Sequence, residues 1–151
     1  MQNVFDAKDA QEYINRINNL TPETQRKWGK MSVDQVLAHL NVAYDLTFTP
    51  EKFPKPSFIA KFLLSRFVKP KITNEIPYKQ SLPTSPVFII ADERNFEEEK
   101  AKFIGNIQRV QQLGREAFEG KENINFGKMT AQCWNNMFAK HLNHHLDQFG
   151  V

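Results

Sequence analysis

Residues 134–149 read WNNMFAKHLNHHLDQF. On a helical wheel advancing about 100° per residue, Trp134, Phe138, His141, His145 and Phe149 fall within a sector of roughly 80°. The stretch therefore predicts an amphipathic helix with two imidazoles, four residues apart, stacked in its apolar face. A buried polar group without a partner costs about 1–3 kcal/mol, so both rings need one. A shared metal ion is one solution. Hydrogen bonds to carboxylates or backbone near the helix end are another, and spacing alone leaves both open.

The same periodicity recurs along the chain. Asp6 is placed to cap a helix carrying Ala10, Tyr13, Ile14, Ile17 and Leu20 on one side, over about 7–19. Thr21-Pro22 predicts a short helical restart, ended by Trp28-Gly29. Ser32 and Gln35 form the sequence signature of a capping box for a helix over 33–48, whose stripe is Val33, Val36, Leu37, Leu40, Ala43 and Tyr44. His39 falls at the edge of that stripe, where it could lean into a cleft and keep access to solvent. A long helix is expected from about Asn95 to Phe118, with Glu97, Glu98 and Glu99 at its positive end. Gly114 lies on its stripe and reads as a point of close helix approach.

Residues 50–92 depart from this pattern. Seven of the eight prolines fall there, framing the apolar run SFIAKFLLSRFV and an extended stretch ending in PVFIIAD. This reads as one long crossover with a short helix inside it, packed over the helices as a lid. Lys61, Arg66, Lys69 and Lys71 leave a membrane-surface element as the alternative. Any strand is expected within 70–92. Four amphipathic helices with one crossover predict an all-α four-helix bundle, a single domain over residues 1–151.

Composition narrows the function classes. The net charge of +3 comes without a concentrated Arg/Lys stripe, which argues against nucleic acid. The single cysteine, Cys133, excludes an internal disulfide and a multi-thiolate metal site. No apolar run is long enough to span a bilayer, and no signal-peptide pattern opens the chain, so a cytoplasmic setting is expected. Phosphate-binding glycine loops and a G-x-S-x-G elbow are absent. His144 points to the flank of the last helix and reads as a neighbour of the site rather than a ligand. Asp34, Asp45 and Asp147 are possible outer partners for the imidazoles.

The segment LTPETQRKWGKMSVDQVLAHL, residues 20–40, resembles the DinB/YfiT-like superfamily of bacterial metalloenzymes, with its Trp-x-x-x-Ser element and a His just before a Leu. The ending KHLNHHLDQFG resembles that superfamily's closing His-x-x-x-His-x-x-Gln pattern. The resemblance implies a four-helix bundle in which His39, His141 and His145 hold a divalent ion, zinc or nickel, with Gln148 as the trailing Gln. It further implies a small-molecule substrate, transfer of a low-molecular-weight thiol to an electrophile, and a homodimer. A metal-organised binding module without catalysis is the alternative.

Overall fold

Asp6 caps the first helix: its carboxylate accepts from the amides of Lys8 and Asp9, and α1 runs Ala7–Asn18 with Ala10, Tyr13, Ile14 and Ile17 buried. The structure, a computed structural model, describes residues 1–151. The expected helical restart after Thr21-Pro22 does not form. Thr24 Oγ1 accepts from the Thr21 amide at 2.8 Å, a local turn that competes with helical bonding. The Lys27 amide donates instead to the Gln148 carbonyl at 2.7 Å, laying this loop against the C-terminal helix.

Helix α2 spans Val33–Phe48, and the Gln35 carboxamide oxygen accepts from the Ser32 amide at its start. Its burial is wider than the stripe read from the sequence, because Ala38, His39 and Asn41 are buried as well. Asn41 explains part of this: its amide donates to the Glu99 carboxylate at 2.7 Å and its oxygen accepts from Asn106, joining α2 to the helix that carries both.

Helix α5, Phe96–Leu113, stops five residues before the expected end. Gly114 takes φ +71°, a conformation open to glycine, and acts as the terminator rather than as a contact point. Nothing lies within 4 Å of where its Cβ would be. One 3-10 turn, Arg115–Phe118, then swings Phe118 into the core against Phe5, Trp134 and Phe138. The two short strands, β1 Glu122–Asn123 and β2 Gly127–Lys128, pair antiparallel in the following loop, not within 70–92. Asn123 Oδ1 accepts from the Asn125 and Phe126 amides to make the turn. In 70–92, by contrast, four prolines remove backbone donors that a strand would need.

Helix α6, Ala131–Phe149, is capped by Thr130 and ends at Gly150 in the left-handed region. Across the crossover, α3 (Phe58–Leu63) passes through a wide π turn at Leu64–Val68 into α4 (Lys69–Thr73). Buried Lys140 of α6 holds α4 in place, donating to the Lys71 carbonyl and to Asn74 Oδ1, each at 2.6 Å. The chain is thus mostly helical with one small two-stranded sheet. No helix is long and apolar enough to cross a membrane.

Candidate metal centre

Helices α2 and α6 bring the three histidines together. His39, His141 and His145 form a triangle of rings with centroids 4.9, 4.7 and 4.9 Å apart. One ligand nitrogen from each lies within 4.8 Å of the others, so the three could form a metal site. His39 Nε2 and His141 Nε2 approach to 2.9 Å. The access expected for His39 is much reduced: it is 3% exposed, because α2 is buried beyond its apolar stripe.

The outer nitrogens decide the tautomers. His39 Nδ1 lies 2.8 Å from the Phe88 carbonyl oxygen, which can only accept, so Nδ1 carries the proton and Nε2 offers its lone pair inward. Without an ion, His141 must therefore donate from Nε2 to His39. Gln148 is oriented by the same logic. Its Nε2 donates to the Trp28 carbonyl at 2.7 Å, leaving Oε1 to accept from His145 Nδ1 at 2.8 Å. His145 Nε2 is then also free of a proton. Such outer hydrogen bonds fix ring orientation at metal sites.

Gly29 makes this relay possible. It sits at φ +83°, and a Cβ there would collide with the Gln148 amide nitrogen. The sequence marks Gly29 only as a helix break and Trp28 only as part of the Trp-x-x-x-Ser element. The loop that carries them touches α6 through contacts some 120 residues apart, which no local pattern signals.

Burial keeps the imidazoles neutral. His39 lies below the usual histidine range mainly because it is desolvated, with the Phe88 carbonyl opposing. His141 is pushed well below it by burial and then by its histidine neighbours. His145 is pushed down to about 3, again mainly by burial, with His39 adding to the effect and Gln148 opposing. Three neutral imidazoles present three nitrogen donors, the donor type suited to zinc, nickel, copper or iron.

His144 stands outside the triangle, half-buried, with its ring against Trp28, Tyr78 and His145. None of the three aspartates read as outer partners hydrogen-bonds to an imidazole. Asp34 accepts from the Arg94 amide, Asp45 pairs with Lys102, and Asp147 pairs with Arg16. A carbonyl and a carboxamide take their place. Two cavities meet at His144 and His145. The larger, about 550 Å³, is mainly apolar and includes Phe53, Val68, Phe126, Met137 and His141 in its wall. The smaller, about 330 Å³, is lined by Trp28, Lys30, Ser81 and Gln148 among others. Neither wall contains an Asp or Glu.

The family model described as "Protein of unknown function (DUF1569)" matches residues 2–150, and the chain belongs to that family. Comparison with curated proteins and with solved structures returns no match.

Proposed function

We propose that this chain is a divalent-metal-dependent enzyme built as a four-helix bundle of the DinB/YfiT-like kind, using His39, His141 and His145 as ligands. The observation that carries the reading is the convergence of three neutral imidazoles, His39 and His145 buried and His141 half-buried at the cavity wall, two of them with their outer nitrogens held. Zinc or nickel is the ion proposed. When bound, it would supply Lewis acidity, lowering the pKa of a thiol or water that it holds.

The chain's own residues favour a negatively charged partner at that position. Neutral histidines add no charge to a divalent cation, and no carboxylate lines either cavity to offset it. An anionic ligand such as a thiolate would supply that charge. The apolar wall of the larger cavity would receive an uncharged electrophile beside it. Thiol transfer to a small electrophile is the reaction class that joins these features.

A metal-organised binding module without catalysis is the second reading. It is favoured by the same carboxylate-free walls, which offer no acidic general base. Elemental analysis of untagged protein beside His141→Ala tests the metal: about one ion per chain in the first and none in the second. Turnover of an electrophile with a panel of low-molecular-weight thiols then separates the readings. Stoichiometric metal with no turnover favours the binding module, and absence of metal from the wild-type protein removes both.

A further inference from the structure

Within the crossover, residues 57–68 turn their phenylalanines outward. Phe58 is 87% exposed, Ile59 70% and Phe62 61%, and Leu63 and Phe67 are exposed beside them. This corrects the lid expectation for those residues: the phenylalanines of 57–68 do not pack over the other helices. A clustered apolar face of this kind marks an interaction surface more often than chance exposure does.

The face is held in that orientation from behind. Lys61 Nζ pairs with the Glu122 carboxylate at 2.8 Å, and Lys69 Nζ donates to the Lys128 carbonyl at 2.9 Å. Leu64, Val68 and Ile72 point to the opposite side and line the larger cavity. Between Phe62 and Phe67 lies the π turn, whose Lys69 amide bonds to the Leu64 carbonyl five residues back. An unbroken α-helix would set Phe67 roughly 140° around from Phe62. A five-residue turn brings it back toward the same side, and such turns are frequent at functional sites.

Charge identifies the occupant. Residues 51–75 contain Lys52, Lys55, Lys61, Arg66, Lys69 and Lys71 against two acids, Glu51 and Glu75, one at each end. Lys52, Lys55, Arg66 and Lys71 are exposed and unpaired with any carboxylate; along the chain the first two precede Phe58, Arg66 stands against Phe67, and Lys71 follows. We infer that this face docks on an anionic lipid bilayer, with Phe58, Phe62 and Phe67 entering the headgroup boundary and the four bases meeting lipid phosphates. A second copy of the chain fits poorly, because a two-fold contact would set this predominantly basic face against its like.

Co-sedimentation of untagged protein with vesicles tests the inference. Vesicles of phosphatidylglycerol and phosphatidylcholine in equal parts should carry the protein down at low salt, and pure phosphatidylcholine should not. High salt should release it. Phe58→Ser with Phe62→Ser, and separately Lys55→Glu with Arg66→Glu, should each weaken partitioning about tenfold or more. Both variants should keep the wild-type unfolding midpoint, since all four side chains are exposed. Hydrogen exchange should show 57–68 protected only when anionic vesicles are present. Failure to sediment would overturn the proposal, as would binding to pure phosphatidylcholine that ignores the charge variant. So would protection of 57–68 without lipid in a dimer that Phe62→Ser dissociates.

Discussion

Replacing Gln148 with Met, similar in length but without an amide, cuts the relay that orients His145. Two hydrogen bonds are lost, from His145 Nδ1 to Gln148 Oε1 and from Gln148 Nε2 to the Trp28 carbonyl. Gln148 is 3% exposed and His145 7%, so water does not readily replace the bond to His145, whereas the Trp28 carbonyl is only part-buried and can be hydrated. With about 1–3 kcal/mol for one orphaned buried group, the metal-free protein should lose about 1–3 kcal/mol of stability. The freed imidazole no longer holds Nε2 toward its two neighbours. Loss of such an outer partner typically weakens metal binding about 10–100-fold, or about 1.4–2.7 kcal/mol. Competition against a chromophoric chelator reads the affinity, and thermal unfolding of the metal-free protein reads the stability. Gln148→Glu separates the two effects. It keeps an acceptor for His145 Nδ1 but sets a carboxylate oxygen against the Trp28 carbonyl, so stability should fall while affinity stays at or above wild type. If the Met variant loses stability and binds zinc as tightly as wild type, Gln148 only packs the loop and the relay argument is wrong.

Gly29→Ala acts on the same relay from the other side. Its positive φ costs an alanine about 1–2 kcal/mol, and the new methyl displaces the Gln148 amide. Zinc affinity of Gly29→Ala with Gln148→Met, measured by the same competition, should match that of Gln148→Met alone, because both remove one interaction. For pH, the sign follows from His145, whose folded pKa of about 3 lies below the unfolded value of 6.5. The unfolded chain binds the extra proton first, so stability is full above about 6.5 and falls with pH through the window down to 3. At pH 5 this one group should cost the metal-free protein about 2 kcal/mol, read as a lower urea midpoint. His39 and His141 shift the same way and should steepen the fall. Lys140→Met removes the donor that holds Lys71 and Asn74 and should speed amide exchange across 69–78 while leaving α1 and α5 unchanged.

The parts of the structure that were legible are those with short-range causes. Ser32 with Gln35, Asp6, and the i, i+4 spacing of His141 and His145 are local patterns, and each element formed where it was read. No helix follows Pro22 because Thr24 offers the backbone a turn and Gln148 offers it a partner far along the chain. The role of Gly114 is not legible because a glycine on an apolar stripe looks the same whether it admits a neighbour or ends the helix. At the centre, the ligand residues carry a periodic signature, whereas their outer partners do not. The Phe88 carbonyl has no side-chain identity to read, and Trp28 reaches Gln148 only after the fold has formed. The outward turn of Phe58 and Phe62 is legible only as the membrane-surface alternative that the basic residues of the run leave open. An apolar run reads as buried unless the tethers on its other side, here Glu122 and the Lys128 carbonyl, are known.

Anomalous diffraction from crystals of untagged protein grown with zinc, recorded on both sides of the zinc edge, tests the central claim most directly. The account predicts one peak per chain between His39, His141 and His145, about 2.0–2.1 Å from each ligand nitrogen. That peak should vanish in His141→Ala and persist in His144→Ala. A peak centred on His144, or no peak among the three imidazoles in the wild-type protein, would contradict it.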